Sequence, residues 1–248
     1  MISISMVSHH QGQLVQELLT DLALIADQDV FEVILTLNLP EQLPCTNDDF
    51  PYPLKIITNP EPLGFAANHN QAFQYAEGDI FCVMNPDIRL PNSPFAGLLN
   101  SLQSVQAGLV APLVMNSAGK IEDSFRHFPT IWGLFLKFLR IDDGRYAIPA
   151  DKLPFQVDWV AGMFMLFKAD TFKRIGGFDA GFFLYYEDVD ICVRLWQQGL
   201  KVIANPAATV IHNAQRTSRR KLKYLFWHLS SLCRYLGKHL LSLPKTDR

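Results

Sequence analysis

Residues 2–37, ISISMVSHHQGQLVQELLTDLALIADQDVFEVILTL, hold two short apolar runs with one helical repeat between them. Positions 2–7 read as a strand. Across 11–26 the apolar residues Leu14, Leu18, Leu22 and Ile25 recur at steps of three and four, the period of a helix face. Positions 31–37 are largely β-branched and apolar, as expected of a parallel strand buried on both faces. Outward from this unit the alternation continues. Pro40, Pro44, Pro51 and Pro53 mark a loop, and 54–58 returns as a strand. A helix is predicted over 64–75, a strand over 79–84, a largely helical stretch over 91–105 and a strand over 109–115. Strand alternating with helix implies an α/β domain, a mostly parallel sheet wrapped by helices. In such sheets ligands bind at the carboxyl ends of the strands.

The second half is less regular. Positions 131–141, IWGLFLKFLRI, are apolar but interrupted by Lys137 and too short to cross a bilayer. Strands are predicted over 160–167, 201–204 and 208–211, and helices over 169–175 and 187–198, each stopped by glycine. A last amphipathic helix carries Leu222, Leu225, Phe226, Leu229, Leu232, Cys233, Leu236 and Leu240 at helical spacing.

With 248 residues, 49% of them hydrophobic, the chain can bury a full core. A net charge of −2 argues against a nucleic-acid binder. The charge is uneven, however. From residue 213 onward nine Lys/Arg stand against the single acid Asp247. A basic tail on an acidic body fits docking on an anionic membrane surface, and equally fits a solvated helix face. Cys45, Cys82, Cys192 and Cys233 lie far apart with no CxxC pair, and Cys82 and Cys192 read as small core residues. The first residues lack the cationic and long apolar regions of a signal peptide, so the expected location is cytoplasmic, with peripheral contact to the inner face of the membrane left open.

Three polar clusters interrupt the apolar pattern. Asn85-Pro86-Asp87 follows a strand directly, which puts a carboxylate at the ligand edge of the sheet. With waters and substrate phosphates, one such oxygen ligand can hold Mg²⁺ or Mn²⁺, although Asn-Pro-Asp is also good turn chemistry. Glu187-Asp188-Val189-Asp190 follows the aromatic run Phe182-Phe183-Leu184-Tyr185-Tyr186. Crowded carboxylates against an apolar wall oppose one another's ionisation, which can tune one as a base, although acids at a helix start also complement its dipole. His212 ends a short strand and becomes a candidate ligand only beside a metal already held by Asp87. In addition, Asn68 and Asn70 occupy an early helix where asparagine is unfavourable, so their amides are expected to be used, and Gly64 permits close backbone approach.

In this order the segments NPEPLGFAANHNQAF, GDIFCVMNPDIRL, GGFDAGFFLYYEDVDICVRL and NPAATVIH resemble the family 2 glycosyltransferases of GT-A fold. The likeness is strongest to the bacterial rhamnosyltransferase-like members that build O-antigen and related polysaccharides. It spans 1–213 as a GT-A domain and continues into 214–248 as a basic C-terminal helix. The resemblance implies an inverting transfer from a nucleotide-sugar donor, with dTDP-rhamnose the first candidate, to a glycan or polyprenyl-linked glycan acceptor. It gives Asp87 and His212 as ligands of a divalent cation, with Asn85 where other members carry an acid. Asp188 would be the catalytic base, Glu187 would help position the acceptor, and Asp190 would support the site. Ser8, Asn38, Asn68 and Asn70 would lie near the donor nucleotide, and Trp159, Ala161 and Gly162 would wall the sugar pocket.

One position departs from the family pattern. Where the second strand usually ends in an acid that contacts the nucleobase, this chain has Leu37. Either the base is held differently or nucleotide affinity is reduced, and a catalytically impaired nucleotide-sugar or glycan binder is the alternative. A nucleotidyltransferase should carry a basic Gly-rich loop after the first strand, and a dehydrogenase GxGxxG; residues 8–12, SHHQG, provide neither.

Overall fold

The computed structural model describes residues 1–104, 106–213 and 222–246. The first half follows the expected alternation: β1 (Ile2–Ser8), α1 (Gly12–Ile25), β2 (Phe31–Leu37), β3 (Leu54–Thr58), α2 (Phe65–Phe73), β4 (Ile80–Met84), the short β5 (Ile88–Arg89), α3 (Phe95–Leu102) and β6 (Ala107–Asn116). Then come β7 (Phe125–Arg126), α4 (Ile131–Phe138), β8 (Phe155–Gln156), β9 (Trp159–Val160), β10 (Phe164–Lys168), α5 (Ala169–Arg174), α6 (Glu187–Gln197), β11 (Lys201–His212) and α7 (Leu222–His239).

The main sheet runs in the order β3-β2-β1-β4-β10-β6-β11-β5, and β8 adds to β11. β3, β2, β1 and β4 are parallel, as are β6 and β11, while β10 lies antiparallel between β4 and β6. The sheet is therefore mixed, with a parallel majority. Side chains alternate across it: Ile4, Met6, Cys82, Met84 and Leu166 pack under α1 and α3, whereas Phe81, Val83, Met165 and Phe167 pack under α5 and α6. All four cysteines are free thiols, and Cys82 and Cys192 are buried as expected.

Three expectations change, and each change shapes the site. The single strand expected over 160–167 is two, β9 and β10, separated at 161–163. The chain leaves the main sheet there because β9 pairs with β7 in a small second sheet and Ala161 N–H donates to Ser124 O at 2.9 Å. The strands expected over 201–204 and 208–211 are instead one, β11, with a register shift between Asn205 and Thr209. The helix expected over 91–105 begins only at Phe95, because Pro91 and Pro94 disfavour a regular helix before it.

The C-terminal helix α7 packs on the domain chiefly through residues outside its leucine stripe, of which Leu236 alone joins the core among the described residues. Ser231, Tyr235 and His239 are buried, whereas Leu222, Leu225, Phe226 and Leu229 are exposed. The basic run 214–221, and with it the start of the 214–248 extension, lies outside the described residues.

Candidate active site

β4 ends at Met84, and Asn85-Pro86-Asp87 turns the chain at the carboxyl edge of the sheet. Asn85 N–H donates to Met163 O at 2.9 Å, and Ile88 N–H donates back to Asn85 O at 3.2 Å. β5 then pairs antiparallel with the end of β11, setting His212 opposite Ile88. An anchor outside the site holds this turn: the Arg89 guanidinium binds Asp21 through Nε at 2.6 Å and Nη2 at 2.8 Å, and Glu17 through Nη1 at 2.8 Å. Residues 125 positions apart in sequence thereby meet, with His212 Nε2 3.1 Å from Asp87 Oδ2. The other ring nitrogen, Nδ1, lies 2.6 Å from Glu122 Oε2. Burial alone would lower the His212 pKa, but hydrogen bonds and charge from Asp87 and Glu122 outweigh it and raise the value.

Among the described residues no group of three or more His, Cys, Asp and Glu is set out to hold a metal ion. Asp87 Oδ1 is nonetheless buried without a hydrogen-bond partner. A buried carboxylate oxygen left unsatisfied is costly unless something else binds it. Together with an adjacent imidazole it suits a divalent cation that completes its shell with water and phosphate oxygens.

Asp188 lies at the start of α6, partly open to the cavity. Its Oδ2 accepts from Gly162 N–H at 3.0 Å and its Oδ1 from Val189 N–H at 2.8 Å. The break between β9 and β10 is what brings Gly162 under this carboxylate. A Cβ at Gly162 would meet the Phe65 ring at 3.1 Å and Asp188 Cβ at 3.6 Å, so the approach leaves little room for a side chain. Burial pushes the Asp188 carboxyl up to about 6, against the lowering effect of those backbone donors. Its neighbour Glu187 is buried, and Oε2 has no hydrogen-bond partner. Burial first, and then the charge of Asp188, push the Glu187 carboxyl well above the ordinary range.

The two residues before α6 are strained. Tyr185 and Tyr186 have φ of 73° and 67°, left-handed values that non-glycine residues adopt at a cost of about 1–3 kcal/mol each. Packing holds them there: Ser231 Oγ of α7 donates to Leu184 O at 2.8 Å, and Tyr186 lies 5.4 Å from the Tyr235 ring. Burial, followed by the Asp188 charge, pushes the Tyr186 hydroxyl up to about 12. One carboxylate further along, Asp190 Oδ1 faces His239 Nε2 at 2.7 Å and Lys238 Nζ at 2.6 Å, while Oδ2 accepts from Arg194 Nε at 2.7 Å.

Asp87, Glu122, Tyr185, Tyr186, Glu187, Asp188 and His212 face one cavity of about 1170 Å³, whereas Asp190 lies behind it and does not line it. Of the residues expected from sequence, it brings together Asn85, Asp87, Trp159, Ala161, Glu187, Asp188 and His212, and Gly162 touches it through Asp188. Tyr185 and Tyr186, from the aromatic run before the carboxylates, line it too, and sequence reasoning missed Glu122, Arg126 and His228, which also do. Glu122 and Arg126 lie in an irregular stretch without a motif, and His228 lies in a helix whose docking face the leucine pattern hides.

Ser8, Asn38, Asn68 and Asn70 do not line this cavity. Ser8 and Asn38 sit at the carboxyl ends of β1 and β2, where Asn38 Nδ2 lies 3.0 Å from His9 Nδ1. Asn59 Nδ2 donates to both Asn38 Oδ1 and Asn68 Oδ1 at 2.7 Å, and Asn38 and Asn68 hold the backbone at Leu63 and Gly64. Asn70 exchanges two hydrogen bonds with the Phe178 backbone, at 2.8 and 2.9 Å. The amides expected to be in use are indeed in use, within the protein. The close approach at Gly64 is likewise internal, because a Cβ there would lie 2.4 Å from Phe183 O. Leu37 is buried in the core beside Asn38.

A carboxylate–imidazole pair and a carboxyl pair thus face one cavity at the strand ends of a mixed α/β sheet. Solved structures agree on the fold. The chain superposes on GalNAc-T7 with UDP, GalNAc and Mn²⁺ at a TM-score of 0.71, with 15% identity, 95% of this chain and 47% of that one covered. The mannosyltransferase of Pyrobaculum calidifontis in complex with GDP-Man and Mn²⁺ gives 0.65, with 17% identity, 99% of this chain and 65% of that one covered. Glycosyl transferase family 2 matches residues 3–176, and the chain belongs to that family. It is 31% identical to the rhamnosyltransferase WbbL of Escherichia coli over 100% of this chain and 97% of that protein. It is 29% identical to the N-acetylglucosaminyl-diphospho-decaprenol L-rhamnosyltransferase of Mycobacterium tuberculosis, over 64% of this chain and 55% of that protein.

Proposed function

We propose that the protein is an inverting rhamnosyltransferase that moves L-rhamnose from dTDP-rhamnose to a polyprenyl-linked glycan at the cytoplasmic face of a membrane. The observation that carries this reading is that Asp87 and Asp188, about a hundred residues apart, face one cavity with an orphaned oxygen on the first and a raised pKa on the second. The rhamnosyltransferase relatives support the sugar, and the decaprenol-linked activity in one relative's name supports a lipid-linked acceptor.

In this reading the acceptor hydroxyl attacks the anomeric carbon from the side opposite the diphosphate. Asp188 takes the hydroxyl proton as the new bond forms, help worth roughly 10²–10⁴ in rate. A single displacement inverts the centre without a protein nucleophile. Glu187, kept protonated by burial, offers its O–H to orient the acceptor. Asp87 and His212 would hold Mg²⁺ or Mn²⁺, with Asn85 beside them, and the bound ion would stabilise charge on the departing diphosphate. The nucleotide would lie at the strand ends near Ser8 and Asn38, whose side chains are buried and support the backbone there. Asn68 and Asn70 act at one remove, by fixing the loop at Gly64 and the turn at Gly177. Trp159 and Gly162 wall the sugar. Residues 1–213 form the transferase domain and 214–248 its basic helical extension.

The test is transfer from dTDP-rhamnose, with Mn²⁺ or Mg²⁺, to a polyprenyl diphosphate-linked N-acetylglucosamine, read as labelled lipid product and released dTDP. Asp188→Asn should bind donor normally and form no product; product at the native rate rules Asp188 out as the base. The burial of Leu37 favours a second reading, a nucleotide-sugar binder without turnover. Titration showing donor affinity with neither hydrolysis nor transfer in the native chain would establish that reading instead.

A further inference from the structure

Two helices flank the cavity, and both turn apolar side chains to solvent. α4 has no buried residue at all: Trp132 is 66% exposed, Phe138 82% and, just beyond the helix, Ile141 69%. α7 buries Ser231, Tyr235 and His239 and exposes Leu222, Leu225, Leu229 and Phe226, the last by 69%. The two meet at the cavity, which Trp132 and Lys137 line from α4 and His228 from α7. They are near enough that the His228 pKa is lowered by burial first and by the Lys137 charge second. Exposed apolar surface of this extent at the rim of a site marks a contact surface.

Charge indicates what lies against it. Residues 131–141 carry Lys137 and Arg140 and no acid, and residues 222–229 carry Lys223 and no acid. The acids that follow α4 are turned to local partners: Asp142 accepts from Gly144 N–H at 2.8 Å and Asp143 faces Arg145 at 3.0 Å. Next to α7 in sequence, 214–221 contains four Lys/Arg and no acid, although it lies outside the described residues. Aromatic and aliphatic side chains interleaved with lysine and arginine, on helices too short or too polar to span, are the composition of an interfacial element on anionic lipid. No described helix is long and apolar enough to cross a membrane. A protein partner of complementary shape would not need the cations, which lipid phosphates would neutralise.

We propose that the exposed faces of α4 and α7 form one docking surface for an anionic phospholipid bilayer, setting the mouth of the cavity against the headgroups. This deepens the lipid-linked acceptor of the proposed function and rests on it. An acceptor whose polyprenyl chain stays in the membrane would then reach Asp188 without leaving the lipid. The outward turn of Leu222, Leu225, Phe226 and Leu229 has the same explanation, since the inward face of α7 is already occupied by the contacts of Ser231, Tyr235 and His239.

The experiment is flotation of the full chain with vesicles of phosphatidylcholine, with and without phosphatidylglycerol. It compares the native protein with Phe138→Ser/Ile141→Ser and with Leu225→Ser/Phe226→Ser, none of which lines the cavity. The native chain should bind the anionic vesicles and bind neutral ones weakly. Each double variant should lose about ten-fold or more in partitioning, with its thermal midpoint and dTDP release from donor unchanged. Binding of the variants equal to native, or equal native binding to neutral vesicles, overturns the proposal. So does a native dimer in solution that either pair of substitutions dissolves, which would make a second copy the occupant. Vesicle binding without donor turnover leaves the surface standing and removes the proposed function. Donor turnover without vesicle binding does the reverse.

Discussion

Two neighbouring carboxyls, Glu187 and Asp188, differ in what surrounds them more than in what they are. Asp188 keeps two backbone donors and opens on the cavity, whereas Glu187 is buried with one oxygen unpartnered. Both pKa values are raised, and the pair titrates as a unit. A base must be ionised to act, so with the Asp188 carboxyl pushed up to about 6, kcat/KM for transfer should fall as pH drops through about 6 and level off above it. Because burial raises the Asp188 pKa and a protonated Glu187 adds no charge, the acid limb of Glu187→Gln should stay near its native position; a shift to lower pH would show that Glu187 is ionised in the working enzyme. For Asp87→Ala the expected result is loss of metal-dependent donor binding, measured by titration with and without Mn²⁺. Gly64→Ala should destabilise by about 1–3 kcal/mol in denaturant melts, because its Cβ would enter the Phe183 carbonyl.

Among the elements, the joint between α6 and α7 matters most to the site. Asp190 is fully buried, and although burial alone would raise its pKa, His239, Arg194 and Lys238 lower it below the ordinary value. These contacts fix the first turn of α6, one residue beyond the Asp188–Val189 pair and just after the left-handed tyrosines. His239→Ala should therefore cost about 1–3 kcal/mol of stability and reduce kcat while leaving donor affinity intact. His239→Gln, which can still donate to Asp190, should recover most of both; a rise in KM alone would place the effect elsewhere. The sequence placed α1, α2 and α6 within a residue or two, α1 by its apolar period and α6 by the glycine that stops it. It did not show which face of α7 turns inward. A leucine stripe signals an apolar surface, but the docking contacts belong to Ser231, Tyr235 and His239, whose spacing carries no hydrophobic signal.

For the molecule as a whole, the C-terminal helix behaves as part of the transferase rather than an appendage. Arg234 and Lys238 reach Asp179 at 3.0 and 2.9 Å, and Gln197 reaches Ser242 O at 2.9 Å. A chain ended at residue 213 should melt at lower denaturant than the full chain, with a smaller slope as its packed surface shrinks. Equal midpoints would show that the helix adds nothing to stability.

From residue order alone came the α/β alternation, the parallel majority of the sheet, and the candidates Asp87, Asp188 and His212. The alternation follows from local period, and the polar clusters from their breaks in the apolar pattern; the choice of Asp188 as base and of Asp87 and His212 as ligands came from the resemblance to family 2 glycosyltransferases. Tertiary structure alone decided the antiparallel insertion of β10, the break that puts Gly162 beneath Asp188, and the meeting of Asp87, Glu122 and His212 through the pairing of β5 with β11. The same holds for the asparagines, whose amides had an evident need for partners while only packing could say which. The reason is physical: periodicity reports which side of an element avoids water, but what that side touches depends on contacts between residues a hundred positions apart.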